Sequence, residues 1–494
     1  LRVVPPDPWR HDQTLDCGNS GTTARLLAFC EARDAVTGTL REVATLLRGE
    51  LTGGDGEFRG VSTDSRRLES GQLFFALVGP RFDGHEFLAD AADRGAAGAV
   101  VSRTNSEALS CVRVPNTLRA LGELAADWRA RFQIPVIGIT GSAGKTTVKE
   151  MTAAILSESR VTLVTRGNLN NEIGVPLTLF GLDSRHRAAV IEMGANHQGE
   201  IARLTAMARP SIGVVTLAGD AHLEGFGSVE GIARGKGELF QGLPEEGVAV
   251  INADDCYAAF WRKTAGAGRV VYFGLGPGAD YTARDLRVET AGGAQVNFRL
   301  VCPLGEAQVS VPLAGRHNVM NALAAAAAAA EAGASLQDIC SGLAKTPGVA
   351  GRMQLVRGVA GCRIIDDTYN ANPGAVRAAL DYLCGLEGSA WAVLADMGEL
   401  GERAARLHRE IGEYARSVGV ERLFTVGELA GEIAAGFGAG AEHYPDAENL
   451  VQALRPLLHG NVNLLVKGSR STAMERVVAA LTESVTAQTA GGAR

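Results

Sequence analysis

The sequence predicts an α/β protein built from several domains. Short apolar segments alternate with helical segments over most of the chain, and strands separated by helices usually form parallel sheets. With 494 residues the chain is longer than one hydrophobic core usually organises, so two to four domains are expected. Gly and Ala are abundant and aromatic residues make up only 5%, which suits tightly wound α/β layers better than a β-sandwich.

Charge, cysteine content and hydropathy exclude several classes of protein. The net charge is −7 with both signs interspersed, whereas a nucleic-acid surface needs clustered Lys and Arg. The eight cysteines form no CxxC pair and have no histidine cluster beside them, so we predict reduced thiols rather than a zinc site or disulfides. No apolar run reaches the roughly 20 residues of a membrane helix, and no secretory signal is visible. A cytoplasmic protein without a membrane or nucleic-acid partner is therefore expected.

The first 35 residues read differently from the rest of the chain. The segment LDCGNSGTTARLL, residues 15–27, resembles a stretch of 5-enolpyruvylshikimate-3-phosphate synthase, whose fold is many times longer. A single strand–turn–helix fragment cannot bury a core of its own. We therefore interpret residues 1–35 as a remnant resembling an enolpyruvyl transferase, left by a fusion or a misplaced start. The chain does not begin with Met, and Val36 is an alternative start.

Three series of strands and helices follow. The first begins with TLREVATLLRGEL, an amphipathic helix predicted to bury Leu40, Val43, Leu46 and Leu47 on one face, and closes near Pro115. A helix over residues 117–132 leads into a second, larger series that runs to about residue 345. The third series reaches the end of the chain, with strands predicted at residues 363–366, 391–395, 423–426 and 463–466.

The sharpest motif is PVIGITGSAGKTTVKEM. An apolar strand, residues 136–139, runs into a glycine turn and then a helix starting near Lys145. In that geometry backbone N–H groups and the helix N-terminus point at phosphate oxygens, Lys145 neutralises the phosphates and the Thr146 hydroxyl binds Mg²⁺. Ile139 replaces the first glycine of the eight-residue P-loop pattern, which leaves T-G-x-x-G-K-T-T. The alternative is a glycine-rich turn with an incidental lysine, but the strand before it and the helix after it favour a phosphate loop.

Three further residues are candidates for the same chemistry. Glu192 ends an apolar strand in AAVIEMGANHQGE, where open α/β sheets place ligands, and its carboxylate could hold a phosphate-bound metal. Taken alone, a Glu after a strand is usually a solvated loop residue, and the upstream phosphate loop tips the balance towards function. His222 and Lys236 lie in GDAHLEGFGSVEGIARGKGELF. Spacing does not decide whether they are ligands, or a structural histidine and a solvated lysine.

Six segments together resemble the Mur ligase family: TGSAGKTT, EMGAN, AHLEGFGS, GRHNVMNALAA, DDTYNANP and LVKGSRS. The similarity covers residues 39–478 in order, and it favours the members that join D-alanyl-D-alanine to UDP-N-acetylmuramoyl-tripeptide. It implies a small N-terminal UDP-binding domain (36–115), a central P-loop ATPase domain (116–346) and a C-terminal Rossmann-like domain (347–494). It also implies an ATP-dependent ligase that forms ADP and phosphate through an acyl phosphate, uses two Mg²⁺ ions, closes its third domain and acts as a monomer.

The resemblance also assigns roles to individual residues. Lys145, Glu192, His222 and Lys236 are the implied catalytic residues, and Lys236 matches the lysine that this family carbamylates. The implied Mg²⁺ ligands are Thr146 and Glu192 for one ion, and His222 and carbamylated Lys236 for the other. The implied nucleotide contacts are Gly141, Ser142, Ala143, Gly144, Lys145, Thr146, Thr147, Asn318, Asn321, Arg352 and Asp367. The implied substrate contacts are Ser65, Arg66, Asn170, Asn171 and Glu172.

The chain departs from the family pattern at two places. Leu217 stands where Asn is usual, and Gly374 and Ala375 stand where an acidic residue and Ser are common. These departures put contacts near the amine substrate in doubt, but not the ATP chemistry. Whether the tripeptide ends in diaminopimelate or lysine is not readable from the sequence.

Four other functions fit the sequence less well than a D-alanyl-D-alanine-adding ligase does. The ligase that adds the diamino acid carries an Asp-Asn-Pro-Arg signature, where this chain has RLFTVGELAG preceded by DMGELGE. Folylpolyglutamate synthase lacks the N-terminal domain of the STDSR and FDGHEF type. A non-catalytic nucleotide-binding partner would have lost some of the four implied catalytic residues. An enolpyruvyl transferase rests on the N-terminal fragment alone.

Overall fold

The computed structural model describes residues 36–80, 82–103, 108–289, 295–313 and 315–483. The interpreted remnant, residues 1–35, lies outside the described residues. The described chain divides into two compact units. One comprises residues 36–113 with Phe180–Ser184, and the other comprises Val114–Leu179 with the chain from Arg185 onward.

The first unit opens with the predicted amphipathic helix, which spans Leu40–Leu47. A capping box starts it, because the Thr39 side chain accepts from the Glu42 backbone N–H and Glu42 accepts from that of Thr39. The helix buries Leu40, Val43, Ala44 and Leu47. The prediction for Leu46 was wrong, since that side chain is 39% exposed. At about 100° per residue its position falls beyond the edge of the apolar stripe, and Ala44 completes the buried face instead.

The first unit is a small α/β fold around a five-stranded sheet. In sheet order its strands are Glu50–Thr52, Cys111–Arg113, Gly98–Val101, Leu73–Phe75 and Val61–Ser62, with only the first pair antiparallel. Two-stranded ladders join Thr37–Thr39 to Glu57–Arg59 and Val78–Gly79 to Phe82–Asp83. The remaining helical segments are Ser65–Arg67, Gly84–Phe87 and Leu88–Asp93.

The second unit contains a six-stranded, wholly parallel sheet. In sheet order its strands are Thr162–Val164, Ala188–Glu192, Val136–Thr140, Ile212–Val215, Val248–Asn252 and Arg269–Phe273. The two strands that follow Val136–Thr140 in sequence lie on one side of it, and the next three lie on its other side. Such a reversal of strand order opens a crevice at the carboxyl ends of the strands. Its helices are Thr117–Ala130, Lys145–Ser157, Gly174–Leu179, Glu200–Ala208, Leu223–Phe226, Val229–Gln241, Ala258–Thr264, Arg316–Glu331 and Leu336–Ala344. The predicted parallel α/β layers are confirmed.

A three-stranded antiparallel sheet was not predicted. Its strands are Thr282–Glu289, Gln295–Cys302 and Gly305–Val311. Alternate side chains of the middle strand, including Phe298 and Leu300, are buried in one core with the alanine-rich helix Arg316–Glu331. The small alanines of that helix let it lie close against helix Lys145–Ser157, which follows the glycine turn.

A second large sheet completes the unit. In sheet order its strands are Gln354–Arg357, Arg363–Asp367, Val462–Lys467, Ser389–Ala395, Arg422–Val426 and Ala441–Tyr444, and only the first pair is antiparallel. The four strands predicted in this region are confirmed, each extending slightly further. The helical segments are Val359–Gly361, Pro373–Cys384, Gly401–Arg403, Ala404–Val418, Ala430–Phe437, Ala447–Leu454, Arg455–Leu457, Arg470–Thr472 and Glu475–Leu481. Across the described ranges, no helix has the length and apolar character needed to cross a membrane.

Candidate active site

The glycine turn after strand Val136–Thr140 has the geometry of a phosphate loop. Gly141 and Gly144 adopt positive φ angles of 146° and 82°, and helix Lys145–Ser157 starts immediately afterwards. A Cβ at Gly141 would overlap Thr216 Oγ1, and one at Gly144 would lie 2.5 Å from Asn321 Oδ1. Both positions therefore require glycine, and the predicted strand–turn–helix is confirmed.

Hydrogen bonds hold this loop against the next strand of the sheet. The Ser142 backbone N–H donates to the Leu217 carbonyl at 3.0 Å, and Ser142 Oγ accepts from the Gly219 N–H at 3.0 Å. Thr216 Oγ1 donates to the Ala143 carbonyl at 2.5 Å. Leu217, one of the departures from the family pattern, thus supports the loop through its backbone, which does not depend on its side chain.

Lys145 supplies a cation at the mouth of the loop. Its ammonium donates to the Gly141 carbonyl at 2.7 Å. Burial lowers the pKa of Lys145, while the nearby Glu192 carboxylate acts in the opposite direction. Thr146 lies beside it in the first helical turn and is partly exposed. A cation at the N-terminus of a helix, above a ring of backbone N–H groups, can bind a polyphosphate.

Glu192 ends the neighbouring strand and is 2% exposed. Its Oε1 accepts from Asn170 Nδ2 at 2.8 Å, and its backbone N–H donates to Thr165 Oγ1 at 3.0 Å. Within the described part of the chain its Oε2 accepts no hydrogen bond, and Lys149 Nζ forms an ion pair with it at 3.8 Å. A buried carboxylate oxygen without a hydrogen bond is costly, so this atom is a candidate for holding a cation.

His222 and Lys236 lie on either side of a short helix. His222 has a left-handed backbone with φ of 59°, and its Nδ1 contacts the carboxylate of Glu399. That contact, opposed by burial, holds the pKa of Glu399 below its usual value. The Lys236 ammonium is 1% exposed, donates to the Ala195 carbonyl at 3.2 Å and faces the Phe226 ring at 5.1 Å. The solvated-lysine alternative is therefore wrong for Lys236.

Two cavities meet at the phosphate loop and share six lining residues, Ser142, Ala143, Gly144, Arg352, Asn372 and Ala375. One, of about 300 Å³, is largely apolar with several amide and basic groups; its lining includes Thr147, Asn252, Phe273, His317, Asn318, Asn321, Met353, Asp367 and Lys467. The other, of about 280 Å³, is more polar; its lining includes Lys145, Asn170, Asn171, Glu192, Ala195, Glu200, His222 and Tyr369. The first suits a heterocyclic base and the second suits charged groups.

The second large sheet contributes to the same cavities. Arg352 stacks on the Tyr369 ring, with its guanidinium carbon 4.1 Å from the ring centroid, and its buried Nε has no hydrogen-bond partner. Asp367 Oδ2 accepts from the buried Lys467 ammonium at 2.5 Å, and Lys467 also donates to the Asn370 carbonyl at 2.9 Å. Burial lowers the pKa of Lys467, while Asp367 opposes that shift.

Several cavity residues were not singled out from the sequence, among them Asn252, His317, Tyr369 and Lys467. Lys467 carried a usable signal, because it ends the apolar strand of LVKGSRS, just as Glu192 ends its own strand. Asn252 likewise ends a strand of the central sheet. Position at the carboxyl end of a buried parallel strand is thus the shared feature that would have found both.

Of the other predicted substrate contacts, Asn171 lines the polar cavity, whereas Glu172, Ser65 and Arg66 line neither cavity. Asn171 caps helix Gly174–Leu179, and Glu172 forms an ion pair with Arg203. In the first unit, Ser65 is buried and Arg66 pairs with Asp64 at 2.8 Å, a hydrogen-bonded contact that lowers the pKa of Asp64 to about 2. Within the described part of the chain, no three or more His, Cys, Asp or Glu side chains are grouped to hold a metal ion.

Comparison with known families matches most of the chain. Residues 57–129 match the Mur ligase family, catalytic domain; residues 139–329 match the Mur ligase middle domain; and residues 351–470 match the Mur ligase, glutamate ligase domain. The glycine turn, Glu192, His222 and Lys236 all lie within residues 139–329, the middle one of these matches.

Individual relatives agree with the family match. UDP-N-acetylmuramoyl-tripeptide–D-alanyl-D-alanine ligase of Escherichia coli K12 is 45% identical over 452 residues, which cover 91% of this chain and 99% of the relative. The crystal structure of MurF from Acinetobacter baumannii is 36% identical with a TM-score of 0.86, covering 90% of this chain and 99% of that one. MurF ligase from Thermotoga maritima in complex with ADP is 28% identical with a TM-score of 0.77, covering 85% and 96%. The chain therefore belongs to the three-domain Mur ligase family.

Proposed function

We propose that this chain is an ATP-dependent ligase that joins D-alanyl-D-alanine to UDP-N-acetylmuramoyl-tripeptide in peptidoglycan precursor synthesis. The observation that carries the proposal is the buried Glu192 oxygen without a hydrogen bond, in the cavity that Lys145 and the phosphate loop also line. The name of the Escherichia coli relative supports the choice of substrates. We further propose that the enzyme acts in the cytoplasm as a monomer.

Amide synthesis needs ATP because oxide is a very poor leaving group from a carboxylate. An oxygen of the precursor's terminal carboxylate attacks the γ-phosphorus, the bond to ADP breaks, and an acyl phosphate forms. The amine then attacks the acyl carbon, phosphate departs with that oxygen, and the nitrogen loses a proton. Lys145 offsets the repulsion between the two anionic reactants and stabilises charge on the phosphoryl oxygens. Holding the reactants in line can lower the barrier by on the order of 7–11 kcal/mol.

The nucleotide is proposed to span the two cavities. Gly141 to Thr147 surround the phosphates, and Asn318 and Asn321 line the larger cavity where the base would lie. Arg352 and Asp367 approach from the second large sheet. The ADP complex of the Thermotoga maritima relative supports nucleotide binding by this fold.

Two Mg²⁺ ions are proposed to bind beside the phosphates and to neutralise their charge. Thr146 and Glu192 would hold one, and the Glu192 oxygen without a hydrogen bond fits that role because hard cations prefer oxygen ligands. His222 and Lys236 would hold the other. Burial, and next the Lys145 charge, lower the pKa of Lys236 to about 7, so about half of the amine is neutral near pH 7. A neutral amine can add to carbon dioxide and lose one proton to solvent, which forms a carbamate whose anionic oxygen atoms could bind a metal ion.

The remaining assignments are also proposals. Ser65 and Arg66 would contact the UDP group, and Asn170, Asn171 and Glu172 would lie near the muramoyl peptide. Asn170 has a second role in the structure, because its side-chain amide donates a hydrogen bond to the Glu192 carboxylate. The proposed domain boundaries are 36–115, 116–346 and 347–494, with residues 1–35 a remnant of an enolpyruvyl transferase.

The test is phosphate release with ATP, the UDP-muramoyl tripeptide and a panel of amines. The panel contains D-alanyl-D-alanine, D-alanine, glutamate and diaminopimelate, and the tripeptide is supplied with either diaminopimelate or lysine at its end. We expect release to require both the tripeptide and an amine, and to be fastest with D-alanyl-D-alanine. Release that depends on glutamate or diaminopimelate instead would contradict the proposed function.

A further inference from the structure

The loop DMGELGE, residues 396–402, carries an unusual backbone conformation. Glu399 has a φ of 60°, in the left-handed region that residues with a Cβ rarely adopt. The neighbouring Gly401 also has a positive φ, 58°, which glycine tolerates without cost. A strained non-glycine residue persists only where its surroundings hold it, and such residues often cluster at functional sites.

Buried polar groups hold this loop in place. His408, whose side chain is inaccessible to solvent, accepts from the Met397 backbone N–H at 2.9 Å through Nε2. Its Nδ1 lies 2.7 Å from the Ala404 carbonyl, to which it donates. Asp396 Oδ1 accepts from the Ala430 N–H at 2.7 Å. These bonds fasten the start of the loop to helices Ala404–Val418 and Ala430–Phe437, which restricts the backbone that leads to Glu399.

The fastened loop reaches across to the central part of the unit. The Glu399 carboxylate contacts His222 Nδ1, a buried nitrogen for which the described residues provide no other partner, and the Glu399 carbonyl accepts from the Glu224 N–H at 3.3 Å. His222 is itself left-handed, with φ of 59°. Two strained residues from distant parts of the sequence therefore meet side chain to side chain at the rim of the polar cavity, which His222 lines.

We propose that Glu399 is a positioning residue for His222, which the proposed function makes a metal ligand. By accepting the Nδ1–H, Glu399 selects the tautomer in which Nε2 carries the lone pair, and it sets the orientation of the ring. A carboxylate behind a ligating histidine commonly plays this part and raises the basicity of the ligand. The third region of the chain thereby completes the metal site of the central region. The competing interpretation is a half-exposed ion pair that merely fastens the loop.

The first test is binding of Mn²⁺, counted by electron paramagnetic resonance on the full chain saturated with a non-hydrolysable ATP analogue. We expect Glu399→Gln and Glu399→Gly to weaken the affinity for one Mn²⁺ by about 10- to 100-fold, with the glycine variant the weaker binder. Glu399→Gly also relieves the left-handed strain, so its melting temperature should not fall. Glu402→Gln, an exposed carboxylate of the same loop, is the matched control and should bind Mn²⁺ normally.

The second test is a double-mutant cycle with His222→Ala. If Glu399 acts through His222, replacing Glu399 has no further effect on Mn²⁺ affinity once the histidine is absent. Normal Mn²⁺ binding in both Glu399 variants, additive effects, or no measurable Mn²⁺ binding by the unaltered chain would overturn the inference. An unaltered chain that binds Mn²⁺ yet releases no phosphate with any amine would contradict the proposed function alone.

Discussion

The carboxyl ends of the parallel strands in both large sheets face the cavities. The two sheets differ in whether the charged side chains there are paired with one another. At the central edge, and among the described residues, Glu192 keeps one oxygen without a hydrogen bond and the Lys145 ammonium donates to the Gly141 carbonyl of its own loop. At the other edge, Asp367 and Lys467 form a buried pair at 2.5 Å. Arg352 is only partly satisfied: its guanidinium stacks on the Tyr369 ring, while its Nε donates no hydrogen bond to any described residue. Unsatisfied buried groups are costly, so their retention at the central edge indicates where the ligand's charges are met.

The largest expected effect comes from removing the central cation. Lys145→Ala should abolish ATP-dependent phosphate release, a loss of about 1,000-fold or more, because it removes the ammonium that lies directly at the loop. Circular dichroism and the melting temperature should remain those of the unaltered chain. Lys263→Ala, an exposed lysine in the same region, is the matched control and should turn over normally. Near-normal turnover by Lys145→Ala would remove the phosphate-loop assignment.

Breaking the buried ion pair of Asp367 and Lys467 should lower the free energy of unfolding. Asp367→Asn or Lys467→Met leaves one buried charge without its partner, which costs about 3–5 kcal/mol of unfolding free energy. The exposed pair of Lys345 and Glu158 offers the control, and Lys345→Met should cost no more than about 1 kcal/mol. Denaturant unfolding measures both. Equal losses in the two sets would show that the buried pair is no different from a surface one.

The carbamate proposal for Lys236 predicts a smaller effect on activity. Lys236→Ala should lose about 10- to 100-fold in turnover by weakening the second Mg²⁺, and short carboxylic acids in the medium should restore part of it. Arg234→Ala, on the exposed face of the same helix, is the control. Unimpaired activity in Lys236→Ala would refute the metal role. Failure of rescue alone would not, because a small anion can bind too weakly.

The smallest expected effect concerns His408, behind the Glu399 loop. Burial lowers the pKa of His408, so the folded chain resists its protonation while the unfolded chain accepts the proton at about pH 6.5. Unfolding free energy should therefore fall as pH drops below about 6.5, with His408 contributing up to about 1.4 kcal/mol per pH unit. His408→Gln should show a shallower slope than the unaltered chain in denaturant titrations. Parallel slopes would indicate that His408 is protonated within the fold.

Local pattern predicted the parts of the site that lie on one stretch of chain. Lys145 could be located because it follows an apolar strand and a glycine turn, and Glu192 because it ends an apolar strand. The glycines of the turn have positive φ angles, which are a local property of the turn. Lys467 and Asn252 reach the same cavity from strands that are far apart in sequence and belong to different sheets, so only the packing of the two sheets brings them together. The missing hydrogen bond of Glu192 is a property of packing that no motif records.

The fold, too, was predicted where it depends on local sequence and missed where it depends on distant contacts. Strands separated by helices predicted the parallel sheets, whereas the antiparallel sheet near Phe298 was missed although its side chains alternate. Its burial depends on the alanine-rich helix that follows it, and that contact cannot be read from the strands themselves. Leu46 was assigned to the wrong face because it lies beside the apolar stripe of its helix, where a side chain can be either buried or exposed.

The acyl phosphate is the central claim, and the path of one oxygen tests it most directly. The precursor is supplied with heavy oxygen in its terminal carboxylate, and the phosphate released with ATP and D-alanyl-D-alanine is analysed by mass spectrometry. Because the attacking carboxylate oxygen leaves with the phosphate, one labelled oxygen is expected in each phosphate for every amide formed. Unlabelled phosphate accompanying full amide formation would contradict the account.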